Sequence, residues 1–175
     1  MVYQRFLDIN DERENQHVSI TINGEEVIAW DPFCVGEAEL AAHDYVPVAF
    51  EDDDEVIGHF TVNAYIIPRK GQYSNEDAEK RAKISSDRQG FYIYRENRLI
   101  HHADWLGMYS QEPHYSLLRV EFSFNAGLDE AFQVDIKKSK ISLADTLYRW
   151  LKDNFLPAPR RAADQLYRKG VKKRV

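Results

Sequence analysis

The sequence predicts an α+β protein in which helices cover one face of a mostly antiparallel sheet. Up to residue 136, several segments alternate apolar and polar residues with a period of two, the pattern of half-buried strands. Helical spacing of apolar residues dominates only later in the chain. The residues with this spacing are Leu143, Leu147, Trp150, Leu151 and Phe155. Strands followed by helices are typical of the α+β class.

Two hairpins are predicted from turn residues between alternating runs. Asn23-Gly24 separates residues 18–22 from residues 26–30, and Asn-Gly favours the positive φ angles that a tight hairpin turn requires. The second hairpin joins residues 90–94 to residues 98–102 around Glu96-Asn97. Pro32 ends the first hairpin because proline cannot donate a hydrogen bond to a ladder.

Between the hairpins, residues 34–55 are predicted to be a loop with a short strand at 45–50 and a solvated acidic turn at 51–55. A long strand follows at 56–67. Its apolar face is formed by Phe60, Val62, Ala64 and Ile66. Ser74 with Asp77 resembles a capping box, which predicts a short polar surface helix ending near residue 84.

The remaining elements lie in the C-terminal half. Residues 104–109 form an apolar turn, and residues 115–124 form a strand. That strand is predicted to point Leu118, Val120, Phe122 and Phe124 inward and Arg119, Glu121 and Ser123 outward. After the helix that Pro157 and Pro159 interrupt, a last helix is predicted from Arg160 to Lys169 and ends at Gly170.

Composition limits the function classes. A chain of 175 residues is one domain, or one domain with a small appendage, and its net charge of -6 argues against a wholly nucleic-acid-binding protein. Cys34 is the single cysteine, which excludes a disulfide framework and predicts a reducing, cytoplasmic setting. No apolar run approaches the ~20 residues of a membrane helix, so no membrane partner is expected.

Several familiar sites are not expected. The histidines show no ligand spacing, and the adjacent His101 and His102 point to opposite faces of a strand, so no metal site is predicted. Cys34 has no flanking signature of a nucleophile. Neither a P-loop nor a dinucleotide fingerprint occurs in the chain.

The stretch with the most chemistry joins a strand at 132–136 to the helix that Ser142 caps. Lys137, Lys138 and Lys140 lie at the positive end of that helix dipole, where a cation is unfavourable by roughly 0.3–1 kcal/mol. Free N–H groups at a helix start favour phosphate, so the arrangement is consistent with an anion site. Three solvated lysines on a turn remain the alternative.

A second basic region lies at 160–174. It contains seven arginines and lysines and a single acidic residue, Asp164. Such a region could neutralise several phosphates, which leaves open a free-standing module that binds nucleic acid or protein through its tail. A solvated helix end is the simpler interpretation.

Three motifs together resemble one family. They are Met1-Val-Tyr-Gln-Arg-Phe6, the hairpin Tyr94-Arg-Glu-Asn-Arg-Leu-Ile100 with Trp105-Leu-Gly107, and Gln133-Val-Asp-Ile-Lys-Lys-Ser-Lys140. The chain is similar to the second, transducer domain of the GHKL ATPases, which include gyrase B, MutL, the ninety-kilodalton heat-shock chaperone and the MORC proteins. The resemblance is greatest to the chaperone-like, MORC-like bacterial branch of these histidine-kinase-like ATPases, and it extends to about Lys169.

The resemblance implies a fold, a cofactor and a site residue. The fold is like the second domain of ribosomal protein S5, with a left-handed strand–helix–strand crossover. Residues 1–16 would be a linker from an upstream nucleotide-binding domain, residues 17–156 the transducer domain, and residues 157–175 a C-terminal helix with a basic tail. The upstream domain would hold ATP and Mg²⁺, and the full protein would be a homodimer.

In the family, a lysine after the strand reaches the γ-phosphate of that ATP. The resemblance places this role on Lys140, with Lys138 as the second choice. The nucleotide-binding motifs of the family are not found in residues 1–175. This chain alone is therefore expected neither to bind ATP tightly nor to hydrolyse it.

Overall fold

A computed structural model describes residue 5 and residues 18–49, 55–130 and 145–171. The strands are β1 Thr21–Ile22, β2 Glu25–Glu26, β3 Glu39–Ala49, β4 Val56–Ile66, β5 Gly90–Arg95, β6 Arg98–Asp104 and β7 Leu118–Phe124. The helices are α1 Glu76–Ala82, α2 Asp145–Trp150 and α3 Pro157–Val171, with a π-helical turn at Leu151–Phe155 between the last two. The predicted α+β class is confirmed.

The main sheet has five strands in the order β3-β4-β7-β5-β6. Neighbouring strands are antiparallel except β5 and β7, which run parallel. The strand predicted at 132–136 and the implied crossover lie outside the described residues. In the described strand order, β7 is the central strand, and its side chains alternate between the two faces of the sheet.

Both predicted hairpins are present. Asn23 and Gly24 have φ angles of 53° and 84°, and Glu96 and Asn97 have φ angles of 46° and 67°. These are the left-handed conformations that a two-residue hairpin turn requires. The first hairpin is shorter than predicted, because only two residues pair on each side of its turn.

The short strand predicted at 45–50 is instead the eleven-residue β3, which begins at Glu39. Polar residues such as His43 and Asp44, together with Pro47, obscure the alternation on which the prediction depended. Within the described residues β3 pairs with β4 alone, at the edge of the sheet. An edge strand tolerates proline and charge, which explains why a longer strand forms than the pattern indicated.

The first face of the sheet holds the larger core. Phe60, Val62, Ala64 and Ile66 are at most 3% exposed, as predicted, and the inward residues of β7 are buried with them. The C-terminal helices cover this face. Trp150 makes an edge contact with Phe60 at 6.3 Å between ring centroids, and Leu151 and Ala163 are fully buried.

The second face holds a smaller aromatic core of Phe33, Tyr92, Tyr94 and Leu99. Arg119 lies on this face, as the alternation of β7 requires, but the prediction that it points outward into solvent is wrong. Its side chain is 0% exposed, because the segment around Pro32 and the C-terminal end of α1 cover it.

Two helix boundaries differ from the predictions. Asn75, not Ser74, caps α1, since its side chain accepts a hydrogen bond from the Ala78 N–H at 2.8 Å. Helix α3 begins at Pro157, because proline is tolerated in the first turn, where no intrahelical donor is needed. It also continues through Gly170. Gly170 therefore lies within the helix and does not cap it, and the Arg69 guanidinium packs beside it.

Candidate functional site

One end of the sheet brings together residues from two of the three motifs on which the family resemblance depends. Strand β7 ends there at Phe124, which is opposite Phe60 of β4 and Arg95 of β5. The Glu96 N–H donates to the Phe124 carbonyl at 3.0 Å, which fastens the β5–β6 turn to the end of β7. We call this region the Phe124 end.

Arg5 docks on the second face at the Phe124 end. Its guanidinium is paired with the Glu121 carboxylate and donates to Ser123 Oγ at 3.0 Å and to Asn97 Oδ1 at 3.2 Å. The same guanidinium lies 3.7 Å from the centroid of the Tyr94 ring. Arg5 therefore joins the N-terminal motif to the central strand and to the hairpin motif, and its side chain is only 10% exposed.

The Arg5 site continues across the sheet as a hydrogen-bond network. Glu121 also accepts from Asn63 Nδ2 of β4 at 3.1 Å, and Asn63 in turn is bonded to the His43 ring of β3. This network therefore connects Arg5 to side chains on β7, β4 and β3.

The β5–β6 hairpin also holds the loop that leads toward the lysine stretch. Arg95 donates two hydrogen bonds to the Asp129 carboxylate, each at 2.6 Å, and this pairing raises the Arg95 pKa above its ordinary value. Next to it, the Glu96 carboxylate accepts from the Ala126 N–H at 2.7 Å. A bidentate pair of this kind fixes direction as well as distance.

Described residues on both sides of segment 131–144 lie near the start of β4. Leu128 is fully buried, and it packs so tightly on Gly58 that a Cβ atom there would lie 2.9 Å from its side chain. On the other side of the segment, Trp150 contacts Phe60. Leu128, before the undescribed segment, and Trp150, after it, therefore both pack beside β4 near the Phe124 end.

Lys138 and Lys140 themselves lie outside the described residues, as do Lys137 and Ser142, so the structure does not test their predicted roles. The contacts of Arg5 and the Arg95–Asp129 pair were not predicted. Strand alternation places Tyr94 and Arg95 on opposite faces of one strand, but it does not indicate which distant residues they contact.

The basic region at 160–174 is less available than its sequence indicates. Arg160 is only 9% exposed, and its guanidinium is sandwiched between the rings of Tyr109 at 3.6 Å and Tyr115 at 3.7 Å. Arg168 is paired with Asp164 at 2.9 Å. Among the described basic residues of this region, Arg161 and Lys169 are exposed without an ion pair. Residues 172–174 lie outside the described part of the chain.

Other candidate chemistry is weak in the described part of the chain. No three His, Cys, Asp or Glu side chains there are grouped so that they could hold a metal ion. Burial raises the pKa of the Cys34 thiol to about 11, so the thiol stays protonated at neutral pH and is a poor nucleophile. None of the described helices combines the length and apolar character needed to cross a bilayer.

Comparisons with known proteins identify no relative: no family model, no curated protein and no solved structure matches the chain.

The Arg95–Asp129 pair gives a direct test of the Phe124 end. We expect a double-mutant cycle with Arg95→Gln and Asp129→Asn to give a coupling free energy of about 1–2 kcal/mol, because the pair is bidentate and partly buried. The exposed Arg168–Asp164 pair on α3 is the control, and about 0.3–0.5 kcal/mol is expected there. Chemical denaturation of the single and double variants measures both values. Equal coupling free energies in the two pairs would show that Arg95 does not hold the loop before residue 131 more firmly than an ordinary surface ion pair would.

Proposed function

We propose that this chain is the transducer domain of a GHKL-type ATPase. In this role it contributes Lys140, with Lys138 as the second choice, to the γ-phosphate of ATP bound with Mg²⁺ in an upstream nucleotide-binding domain. It thereby couples the nucleotide state to movement of the domains. A cytoplasmic setting and a homodimer of the full protein belong to the same proposal.

The observation that supports the proposal is the contact of Arg5, from the first motif, with the β5–β6 hairpin of the second motif at the Phe124 end. Arg5 belongs to the stretch that follows the nucleotide-binding domain in the family, and it is docked on Tyr94 and Glu121. Arg95, in the same hairpin as Tyr94, holds Asp129 just before the lysine stretch. An upstream domain attached at residue 5 and a lysine that reaches into it from this same end of the sheet would form two nearby connections.

The chemistry of the lysine follows from the charge that develops during hydrolysis. When the γ-phosphoryl group is transferred to water, negative charge grows on its oxygens and on the β–γ bridging oxygen. A positioned ammonium group lowers the free energy of that transition state more than it lowers that of bound ATP. Mg²⁺, held by the upstream domain, would neutralise part of the same charge.

The two connections also explain how a nucleotide state could become a movement. The contact between Lys140 and the γ-phosphate exists only while that phosphate is present. The Arg5 connection does not depend on the nucleotide, because its partners lie on β5, on β7 and in the β5–β6 turn. Loss of one connection while the other remains would let the sheet rotate relative to the upstream domain.

The test uses the protein encoded by the complete reading frame that contains this chain. We expect that protein to hydrolyse ATP in the presence of Mg²⁺ and the isolated 175-residue chain to show no turnover. If the complete protein neither binds nor hydrolyses ATP, the proposal is wrong. Turnover by the isolated chain would contradict it in a different way, because the site would then lie within these residues.

A further inference from the structure

A cavity of about 640 Å³ lies on the second face, at the end of the sheet away from Phe124. Its walls are the segment 28–37 and helix α1. The apolar part of the lining is formed by Ile28, Trp30, Val35, Ala78 and Ala82. Ile28 and Val35 line this cavity and are 83% and 68% exposed, so their apolar surface is open to water. The volume falls in the range of small-molecule sites.

Three cations surround the indole ring at this cavity. Lys83 Nζ lies 4.6 Å from the Trp30 ring centroid, and the guanidinium carbons of Arg88 and Arg119 lie at 5.2 and 5.8 Å. The indole N–H donates to the Arg81 carbonyl at 2.7 Å, which fixes the ring. Among the described residues, none of the three cations forms an ion pair with a carboxylate.

Arg119 joins the two walls of the cavity beneath its lining. Its guanidinium donates to the Pro32 carbonyl at 2.7 Å on one wall and to the Lys83 carbonyl at 3.1 Å on the other, while Nε has no hydrogen-bond partner. The side chain is fully buried, and burial lowers its pKa. A buried cation that is balanced only by carbonyl groups leaves a positive potential around it.

The two acidic side chains in the lining do not pair with the cations, and they are outnumbered by Lys83, Arg88 and Arg119. The Asp31 carboxylate accepts from the backbone N–H groups of Phe33 at 2.9 Å and Val35 at 2.7 Å. The Glu37 carboxylate is bonded to the backbone N–H and hydroxyl of Ser74. Both acids shape the cavity walls, whereas the Lys83 ammonium at its rim remains available.

We propose that this cavity binds a small organic anion in which an apolar body carries one negatively charged group. The charged group would lie near Lys83, within the positive potential of Arg88 and Arg119. The apolar body would cover Ile28 and Val35, which are otherwise exposed to water. The site is independent of the proposed ATPase role, because it contains neither the Phe124 end nor the lysine stretch.

The test is a fluorescence titration of the 175-residue chain with 1-anilinonaphthalene-8-sulfonate. Its uncharged analogue N-phenyl-1-naphthylamine has the same aromatic body without the sulfonate. We expect saturable binding of the sulfonate with a stoichiometry near one and at least about fivefold weaker binding of the neutral analogue. Equal affinity for both probes, or no saturable binding, would overturn the proposal.

Matched variants locate the site. Lys83→Gln should weaken sulfonate binding by about fivefold and leave the neutral probe unaffected, because only a charge is removed. Lys80→Gln, on the exposed side of α1 outside the lining, is the control and should change neither probe. Ile28→Ser should weaken both probes, since it removes apolar contact. If Lys83→Gln and Lys80→Gln behave alike, the probe binds elsewhere and the proposal is wrong.

Competition then identifies the preferred anionic group. Unlabelled 1-naphthoate and 1-naphthyl phosphate carry the same ring with a carboxylate or a phosphate. At least one of them should displace the fluorescent sulfonate, and the tighter competitor indicates the chemical class of the natural ligand. Failure of both to compete would contradict the site.

Discussion

Replacement of Lys140 by alanine in the complete protein is expected to lower the ATP turnover number by about 10²–10³-fold, which corresponds to about 2.7–4 kcal/mol of transition-state stabilisation. The reason is that the proposed ammonium contact, already present in bound ATP, becomes stronger as charge develops in the transition state. Steady-state phosphate release at saturating ATP measures the effect.

Neighbouring lysines provide the controls for this prediction. Lys137→Ala removes the same charge directly after the predicted strand at 132–136, and its turnover should stay within about twofold of the wild type, because a solvated charge has little effect at a distance. Lys138→Ala should have an effect between the two. If Lys138→Ala lowers turnover more than Lys140→Ala, the role belongs to Lys138. Unchanged turnover in both variants would remove the lysine stretch from the site.

Replacement of Trp105 by alanine is expected to lower the free energy of unfolding by about 3–5 kcal/mol, the range for a large aromatic side chain lost from a core. Trp105 is 1% exposed and makes edge contacts with Phe91 at 5.8 Å and Tyr109 at 6.1 Å. Its indole N–H donates to the buried Gln89 amide at 3.1 Å. The Arg160 guanidinium of α3 lies 5.5 Å from its ring, so the substitution also weakens the attachment of the last helix.

Two further variants serve as comparisons for Trp105→Ala. Trp105→Phe keeps an aromatic ring and loses the N–H donor, so a loss of about 1–2 kcal/mol is expected. Tyr45→Ala removes an aromatic side chain that is 57% exposed, and a change within about 0.5 kcal/mol is expected. Urea denaturation followed by circular dichroism measures all three. A loss below about 1 kcal/mol for Trp105→Ala would show that the turn at 105–109 is not part of the core.

The sequence predicted best where one physical signal dominates. Both hairpins follow from residues that accept positive φ, and the faces of β4 and β7 follow from strict alternation. The length of β3 could not be predicted, because an edge strand tolerates Pro47 and charged residues that would interrupt a central strand. The burial of Arg119 depends on which distant segment covers it, and local sequence carries no such information.

At the candidate site, too, local features could be predicted from the sequence and long-range contacts could not. The hairpin motif was recognised, but its partners were not, because Arg5 and Asp129 are separated from it by many residues and no local pattern indicates a long-range pair. Arg160 was counted as part of a basic surface, although its alkyl stem and planar head also suit an aromatic cage. Lys138 and Lys140 keep the roles that the sequence assigns them as predictions.

The most direct test of the central claim is the affinity of the complete protein for two nucleotides, measured by calorimetry with and without Lys140. A lysine that contacts the γ-phosphate should strengthen binding of a non-hydrolysable ATP analogue and leave ADP unaffected. Lys140→Ala is therefore expected to weaken the analogue by about 10–100-fold, the range for a hydrogen bond to a charged group, while the affinity for ADP stays the same. An equal loss for both nucleotides, or no loss for either, would contradict the account.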